Sequence, residues 1–329
     1  MFFSRRSFFY AMMALGLAFN PLAHAQQWPA KPITVIVPYP AGGNADSSAR
    51  ALSQALSTDL KQTVIVDNRP GASSIIGTEL IARAPADGYT IGVVSDSHAI
   101  NQVLGETPKG VELLGAKPRY DAVRDFMPIA GTIQIPLVMV VNPKLPAHTF
   151  KEVVQLSKTR SGLNFGTMGT GSPWFFHMHK MIDETGAMFV DVPYKGLAPA
   201  TTDLIGGQID VMVMPLHYAQ QFIHAGKLLP IATLGTQRHP LLPDAPTLVE
   251  SGYPNLVFSN YIFFVAPAGT PQAIVDKLGK TLNAELRTPE MKEKLINSGD
   301  PYPAEPADLS ARLRRDIDGY GQIVQKLLK

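Results

Sequence analysis

Cysteine is absent from this chain of 329 residues. Its absence excludes disulfide bonds, thiolate metal sites and thiol nucleophiles. Charged residues are sparse, at 17% of the chain. Beyond the N-terminal leader, the sequence also lacks a stretch of about 20 uninterrupted apolar residues, the length that a membrane-spanning helix needs. We therefore expect that the mature chain does not insert into a membrane.

The first 25 residues have the pattern of an export signal. A charged start at Arg5 and Arg6 precedes an apolar core over residues 8–19, and a small-x-small cleavage site follows over residues 23–25. The paired arginines resemble a twin-arginine signal, with Sec export as the alternative. We expect residues 1–25 to be removed and the mature protein to work in the periplasm.

The mature chain has no excess of either charge. Two of the 29 basic residues, Arg5 and Arg6, lie in the leader, which leaves 27 basic residues against 27 acidic ones. The charges are interspersed, with no basic stripe and no aromatic platform between lysines. The sequence therefore predicts no nucleic-acid partner and no binding to anionic membranes.

Short β-branched runs alternate with helical patterns, which predicts an α/β fold with a largely parallel sheet. The length after the leader predicts two domains. Strands are predicted over residues 33–37, 63–66, 90–94, 137–141, 209–213 and 262–265. Helices are predicted over residues 47–60, 76–84, 149–158, 174–184, 198–205, 272–286, 289–298 and 306–328.

A glycine turn follows the first predicted strand. Residues 39–46 hold Gly42 and Gly43 and lead directly into a helix. Glycines let the backbone approach a ligand closely, and the first amides of a helix have no internal acceptor. The pattern indicates a cradle for a carboxylate or phosphate. An ordinary strand-to-helix turn is the alternative.

A second small-residue loop, residues 164–172, precedes another helix. It offers backbone amides and the hydroxyls of Thr167, Thr170 and Ser172, so it is a second candidate anion cradle. The segment 192–196 also lies ahead of a helix. The turns at 67–72 and 87–89 are interpreted as architectural.

Six short motifs follow one another along the mature chain. They are Pro40-Ala41-Gly42-Gly43 with Asp46 and Arg50, Asn68-Arg69-Pro70-Gly71-Ala72, Asp87-Gly88-Tyr89-Thr90, Pro193-Tyr194-Lys195-Gly196 with Pro199 and Ala200, Gly206-Gly207-Gln208-Ile209-Asp210, and Ala266-Pro267-Ala268-Gly269-Thr270-Pro271. In this order they resemble the Bug family, the periplasmic solute-binding proteins of tripartite tricarboxylate transporters. The resemblance covers nearly all of the mature chain.

The resemblance implies a type II periplasmic-binding-protein fold, in which two α/β lobes are joined by two crossing strands. Lobe 1 would hold residues 26–127 and 254–329, and lobe 2 residues 128–253. A carboxylated small molecule would bind in the cleft, and the membrane subunits of the transporter would be the partners. We expect a monomer with no cofactor and no metal.

The resemblance also places the ligand among four loops of the two lobes. The ligand-binding residues it implies are Tyr39, Gly42, Gly43, Asn44, Ala45, Asp46, Ser95, His98, Thr167, Gly169, Thr170, Gly171, Ser172, Trp174, Phe175, Pro193, Tyr194 and Tyr261. Whether Asp46 reaches the solute through water or caps its helix stays open at this point.

Departures from the family pattern point to the ligand. Phe175 stands where the family commonly has a histidine, and Tyr261 and Phe263 stand where a tryptophan and a glycine are usual. With Tyr39 and Trp174, Phe175 and Tyr261 would form a slot for a planar ring. The hypothesis is an aromatic dicarboxylate such as terephthalate, with Phe175 and Tyr39 as the preferred contacts.

Other interpretations remain beside the aromatic slot. Aromatic side chains at a helix start often join the core. The ligand would then be an aliphatic di- or tricarboxylate or an amino acid. A ligand-sensing subunit for a membrane histidine kinase would use the same binding chemistry.

Two further features complete the sequence analysis. Residues 105–119 look like an insertion relative to the family, and their glycines and prolines predict a surface loop. His177 and His179 are two apart, which is not the i, i+4 pairing of helical zinc sites. Gly-x-Ser-x-Gly is absent. We therefore expect no catalytic activity.

Overall fold

A computed structural model describes residues 28–159 and 161–328. The predicted export signal lies outside these residues. The strands are β1 (Ile33–Val37), β2 (Val64–Asn68), β3 (Thr90–Ser95), β4 (Phe126–Val141), β5 (Leu163–Thr167), β6 (Phe189–Pro193), β7 (Val211–Pro215), β8 (Leu229–Thr233), β9 (Ser259–Pro267) and β10 (Asp300–Pro301).

Helices separate most of these strands. They are α1 (Asn44–Leu60), α2 (Ile75–Ala82), α3 (Ser97–Leu104), α4 (Pro108–Leu114), α5 (Phe150–Thr159), α6 (Pro173–Thr185), α7 (Leu197–Gly206), α8 (Leu216–His224), α9 (Gln272–Leu286), α10 (Pro289–Leu295) and α11 (Pro306–Leu327). Within the described ranges, no helix is both long and apolar enough to cross a bilayer.

The first sheet holds β1 parallel to β2 and β3, with β9 antiparallel to β3. The first part of β4 continues this sheet as the antiparallel neighbour of β9, and β10 pairs with it as well. Because β1 and β3 are parallel neighbours, their carboxyl ends meet at one edge. The loop after β1 and the turn after β3 therefore lie side by side, as is usual for ligand sites in α/β sheets.

The second sheet is built on the remainder of β4, where residues 137–141 pair with β7 and β8. Parallel β5, β6 and β7 complete it. Strand β4 thus passes from one sheet into the other. The chain returns from the second sheet to the first without a regular strand. Before β9 begins, the Leu234 amide donates to Leu137 O at 3.0 Å and the Phe258 amide donates to Leu234 O at 2.8 Å. The predicted α/β class is confirmed.

The insertion at 105–119 contains a helix rather than a loop alone. Pro108 occupies the first turn of α4, and the Thr107 hydroxyl accepts a hydrogen bond from the Gly110 amide at 3.0 Å. Gly115 ends the helix at φ 71°, a left-handed conformation that favours glycine. Leu114, the last residue of α4, is buried. The prediction of a loop alone was wrong, because the Thr-Pro pair and the following glycine bound a short helix.

Candidate functional site

A cavity of about 660 Å³ opens beside the loop that follows β1. Its lining residues are Tyr39, Pro40, Ala41, Gly42, Gly43, Asn44, Ala45, Ser95, Asp96, Ser97, Ile135, Pro173, Trp174, Asn260, Tyr261 and Ile262. We call this space the cleft cavity. Three parts of the chain meet there: the carboxyl ends of β1 and β3, the crossing strands β4 and β9, and the start of α6.

The loop of residues 39–46 has the geometry of an anion cradle. Gly42 has φ 82°, which requires the left-handed region, and Gly43 is the N-cap of α1. The first intrahelical bond runs from the Ser47 amide to Gly43 O at 2.9 Å. The amides of Asn44 and Ala45, which precede Ser47, therefore have no intrahelical acceptor. They are available to an anion at the positive end of the helix dipole.

Asp46 supports this loop from behind and does not line the cleft cavity. Its carboxylate accepts hydrogen bonds from the Gly42 amide at 2.9 Å and from Arg50 Nε at 3.1 Å. Asn68 Nδ2 donates to the second oxygen at 2.9 Å. Burial alone would raise the pKa of Asp46, but these bonds outweigh burial and hold the pKa below its usual range. Asp46 thus fixes the turn through these bonds, and its contact with the ligand stays a prediction.

A cluster of hydroxyl groups forms the floor beneath the loop. The Tyr39 hydroxyl donates to Ser95 Oγ at 2.9 Å and accepts from the Ser95 amide at 2.9 Å. Ser97 Oγ lies 2.9 Å from Ser95 Oγ and 3.2 Å from the Tyr39 hydroxyl. Burial raises the pKa of Tyr39, so the phenol stays protonated. These bonds hold the half-buried Tyr39 ring against the cavity.

Asp96 is the acidic residue of the cavity lining. Its side chain belongs to a residue only 4% exposed, and Oδ2 has no hydrogen-bond partner among the described residues. Burial and the nearby carboxylate of Asp316 raise the pKa of Asp96 to about 7, although Arg312 acts in the opposite direction. Asp96 therefore changes its charge close to neutral pH.

Tyr261 forms a rigid wall between the cleft cavity and helix α11. The residue is 1% exposed, and its hydroxyl donates to Asp316 Oδ2 at 2.7 Å. The Arg312 guanidinium lies over the ring, 3.7 Å from its centroid. Phe263 stacks on the same ring at 5.6 Å between centroids. Tyr261 is thus held in place on several sides, so it shapes the cavity more than it offers a free stacking face.

The second predicted cradle is held by hydrogen bonds within its own loop, and its residues do not line the cleft cavity. The Gly169 amide donates to Thr167 Oγ1 at 3.0 Å, and the Ser172 hydroxyl donates to Gly169 O at 2.6 Å. The Tyr194 amide donates to Thr167 O at 2.8 Å and joins the two loops of this lobe. The predicted contacts in these loops are grouped together and are not among the lining residues of the cavity, although Ser172 directly precedes the lining residue Pro173. They are Thr167, Gly169, Thr170, Gly171, Ser172, Pro193 and Tyr194.

Helix α6 offers fewer free amides than α1. Pro173 at its first turn has no N–H, and the Phe175 amide already donates to Ser172 Oγ at 3.4 Å. Pro173 and Trp174 are the residues of this helix that reach the cavity. Trp174 is half-buried, and its Nε1 has no hydrogen-bond partner among the described residues. Because Nε1 itself is buried, Trp174 contributes its ring to the cavity rather than its N–H.

Two predicted contacts are corrected by the structure. Phe175 is buried in the core, where it meets Phe176 at 5.8 Å and His179 at 4.3 Å between ring centroids. It lies on the inner face of α6, because Ser172 sets the start of the helix and Phe175 then follows on the side that packs inward. The aromatic slot therefore loses the residue that was preferred for it.

His98 is also a core residue rather than a ligand contact. It is 1% exposed, its Nε2 lies 3.0 Å from Ala122 O, and its ring packs between Tyr120 and Phe126. Burial lowers the pKa of His98 to about 4. His98 thus belongs to the packing of α3. Asp96, Ser97 and Asn260 line the cavity but were not among the predicted contacts, although Asp96 and Ser97 lie between the predicted Ser95 and His98.

The cleft cavity offers a ligand uncharged hydrogen-bond donors. Its lining holds no lysine and no arginine. Over the ranges 28–159 and 161–328, His, Asp and Glu side chains form no group that could hold a metal ion. An anionic ligand would therefore meet backbone amides, hydroxyls and the Trp174 indole.

The comparisons with known proteins agree with this geometry. The profile described as "Tripartite tricarboxylate transporter family receptor", TctC, matches residues 48–328. The chain belongs to this receptor family. It is 33% identical over 304 residues to protein BugT of Bordetella pertussis, an alignment that covers 92% of this chain and 91% of BugT. The resemblance stated from the sequence is thereby confirmed.

Solved structures of TctC-type proteins share the fold. A TctC solute-binding protein from Polaromonas is similar with a TM-score of 0.79 at 29% identity, over 91% of this chain and 100% of that one. A Rhodopseudomonas palustris protein with adipate gives 0.72 at 29%, over 91% and 97%. MatC from the same organism, with bound malate, gives 0.70 at 25%, over 90% and 100%. The periplasmic-binding-protein fold is therefore confirmed for this TctC-family receptor.

Proposed function

We propose that this TctC-family receptor is exported to the periplasm and binds a ring-bearing carboxylate in the cleft cavity. The observation that carries the proposal is the pairing of an anion cradle with an aromatic surface. The amides of Asn44 and Ala45 receive the carboxylate. The rings of Trp174 and Tyr39 then receive the apolar body of the ligand. Terephthalate is the reference compound of this class.

The size and lining of the cavity support a small organic ligand. A volume of about 660 Å³ falls within the range of about 300–1,000 Å³ that is usual for small-molecule sites. The lining combines apolar and aromatic side chains, such as those of Ile135 and Trp174, with a few polar ones. Ligands bound in such sites are oriented by the polar groups and stabilised by the apolar contact area.

We propose that lobe closure completes the site. The loops around Gly169 and Tyr194 lie outside the cavity lining, next to the start of α6. A ligand that bridges Trp174 and the cradle would draw these loops towards it and favour the closed form. We further propose that the membrane subunits of the tripartite transporter recognise that form. The lobe boundaries implied by the resemblance remain a proposal as well.

Tryptophan fluorescence tests this function, because the chain holds only two tryptophans. Trp28 packs on Tyr89, 6.1 Å between ring centroids, outside the cavity lining. The variant Trp28→Phe therefore reports on Trp174 alone. Titration with terephthalate, benzoate, adipate and malate, with calorimetry alongside, should show one-to-one binding and a change in Trp174 emission for the ring-bearing acids.

The matched variant Trp174→Phe removes the indole and keeps a ring. We expect it to weaken binding of ring-bearing acids, whereas Trp28→Phe leaves the affinity unchanged. If no carboxylate binds the wild-type protein, the proposed function is wrong. If Trp174→Phe and Trp28→Phe bind alike, the cavity is not the binding site.

An aliphatic dicarboxylate is the second candidate, and the relatives favour it. The solved structures of Rhodopseudomonas palustris proteins contain adipate and malate. Tight binding of adipate or malate in the same titration, with no binding of terephthalate or benzoate, would select this alternative.

A further inference from the structure

A second cavity, of about 510 Å³, lies beyond Tyr261 from the cleft cavity. Three parts of the chain form most of its lining: helix α6, residues 255–259 ahead of β9, and one face of α11. We call this space the rear cavity. The Arg312 guanidinium, which covers the Tyr261 ring, belongs to its lining. No residue lines both cavities, so the rear cavity is a separate space.

The rear cavity holds the basic side chains that the cleft cavity lacks. They are Lys180, Arg312 and Arg315. Lys180 Nζ lies 5.7 Å from the centroid of the Phe258 ring, which belongs to the same lining. Burial raises the pKa of Asp316, whereas the three cations act in the opposite direction. Their positive charges therefore converge on one region of the cavity.

Two of the three cations are free to meet a ligand. Arg312 donates to Ser259 O and Oγ at 2.8 and 2.7 Å, so its guanidinium is engaged. Within the described ranges, the side chains of Lys180 and Arg315 form no ion pair and no hydrogen bond, and both residues are exposed. An anion that enters the rear cavity can thus bind both cations without breaking a bond within the protein.

The acidic residues of the lining limit the charge of such an anion. Asp308 and Asp316 stand against the three cations, which leaves one net positive charge. The Asp316 carboxylate already accepts a hydrogen bond from the Tyr261 hydroxyl at 2.7 Å. A single carboxylate would balance the lining. A dianion would bring its second charge towards the two acids, and like charges in close contact are costly.

The apolar part of the lining suits a flexible chain. Phe176, Phe258, Tyr302 and Tyr320 contribute rings. The rings of Phe176 and Tyr320 are 4.9 Å apart between centroids and are inclined by 50°, so these two form no parallel slot for a planar ring. The volume of the rear cavity falls within the range of about 300–1,000 Å³ that is usual for small-molecule sites.

Gly319 keeps one side of the rear cavity open. It lies inside α11 (Pro306–Leu327), where glycine is less favourable than alanine. Its φ is not positive, and a Cβ added to it would meet no atom within 4 Å. Neither the backbone nor close packing therefore requires glycine at this position. A side chain here would instead take up space in the rear cavity, which Gly319 lines.

We propose that the rear cavity is a second ligand site, which binds an aliphatic monocarboxylate through Lys180 and Arg315. The aliphatic chain packs against the inclined rings, and Gly319 leaves room for it. The inference goes beyond the proposed function, which concerns the cleft cavity alone. Helix α6 reaches both sites, with Trp174 in the cleft cavity and Lys180 in the rear cavity. An occupant of either site therefore contacts the same helix.

The test uses hexanoate as the probe, titrated into the wild-type protein by calorimetry. We expect saturable binding of one hexanoate per chain. Hexanamide has the same chain without the charge, and it should bind about tenfold more weakly or not at all, because the bonds to Lys180 and Arg315 lose their ionic partner. Hexanamide binding as tight as that of hexanoate, or no saturable binding of hexanoate, would overturn the inference.

Variants assign the binding to the rear cavity. Replacing Lys180→Gln and Arg315→Gln together should weaken hexanoate binding about tenfold or more. Gly319→Leu should also weaken it, because the side chain occupies the cavity. Its melting temperature should not fall, since leucine favours the helix more than glycine does. The control Trp174→Phe changes the same helix at the cleft cavity and should leave hexanoate binding unchanged.

The outcomes separate the two sites. If hexanoate binding keeps its full affinity in the double variant and in Gly319→Leu, or if Trp174→Phe weakens it equally, the rear cavity is not the site. The double variant decides if Gly319→Leu melts at a lower temperature, because Lys180 and Arg315 are exposed and hold no other side chain in place. Dicarboxylates that bind the cleft cavity should keep their affinity in the double variant, so the proposed function is judged independently.

Discussion

The substitution Asp96→Asn should stabilise this protein at alkaline pH, because it removes a buried charge without changing the shape of the side chain. Burial and Asp316 raise the pKa of Asp96 from 3.8 to about 7 in the folded chain. A folded pKa above the unfolded one means that ionisation favours the unfolded state. Asp96 therefore costs no stability below about pH 4 and costs progressively more as the pH rises towards about 7.

The magnitude follows from the size of the shift. Each pKa unit corresponds to about 1.4 kcal/mol, so the step from 3.8 to about 7 gives a cost of about 4 kcal/mol once the pH exceeds both values. We expect Asp96→Asn to recover about 2–4 kcal/mol of the free energy of unfolding at about pH 8.5, since the amide is neutral but remains buried. At about pH 4 the variant and the wild type should be equally stable.

Urea unfolding of both proteins, followed by circular dichroism between about pH 4 and pH 9, measures this difference. The gain should grow between about pH 4 and pH 7 and level off above it. The exposed Asp318 provides the control, because Asp318→Asn should stay within about 0.5 kcal/mol at every pH. A gain for Asp96→Asn that is the same at pH 4 and pH 9, or absent at both, would refute the assigned pKa and its cause.

Two further predictions concern the cradle and the insertion. Gly43→Val should abolish ligand binding in calorimetry, because its side chain would stand beside the amides of Asn44 and Ala45 at the start of α1. The fold should persist, since φ is −81° and the added Cβ lies 3.6 Å from Pro40 O, but the loss of the N-cap glycine should lower the free energy of unfolding by about 1 kcal/mol. Gly42→Ala should also lower the free energy of unfolding by about 1 kcal/mol, since φ 82° is unfavourable for alanine. Unchanged affinity in Gly43→Val would contradict the cradle. Thr107→Ala removes the N-cap side chain of α4 and should lower the free energy of unfolding, measured in urea, by about 1 kcal/mol. An unchanged urea midpoint would mean that the stability of α4 does not depend on this cap.

Local patterns were sufficient to predict the elements around the first cradle. The run of β-branched residues before Pro38, the two glycines and the helical pattern after Asn44 depend on neighbours in sequence, and the structure has β1 and α1 there. Strand β4 was recognised only over residues 137–141, because its first part contains Pro128, Gly131 and Pro136. These residues weaken the local strand signal, but pairing with β9 supplies the missing stabilisation.

Which side chains reach the cavity depended on packing between elements that are distant in sequence. Phe175 and Trp174 are adjacent, yet one packs into the core and the other lines the cavity, because the axis and start of α6 decide which side faces inward. The sequence alone does not show which side of α6 will face the core. The same reasoning explains His98, which the packing of α3 against Tyr120 and Phe126 removes from the site.

The amino-acid sequence by itself determined the α/β class, the family and the strand, glycine turn and helix start of residues 33–60, since each depends on motifs whose residues are close along the chain. Only the tertiary structure decided that Asp46 holds the turn through Gly42 and Asn68, and that Asp96 and Asn260 both line the cavity. The physical reason is that hydrogen bonds and burial between remote segments exist only after β1, β3 and β9 have come together in one sheet.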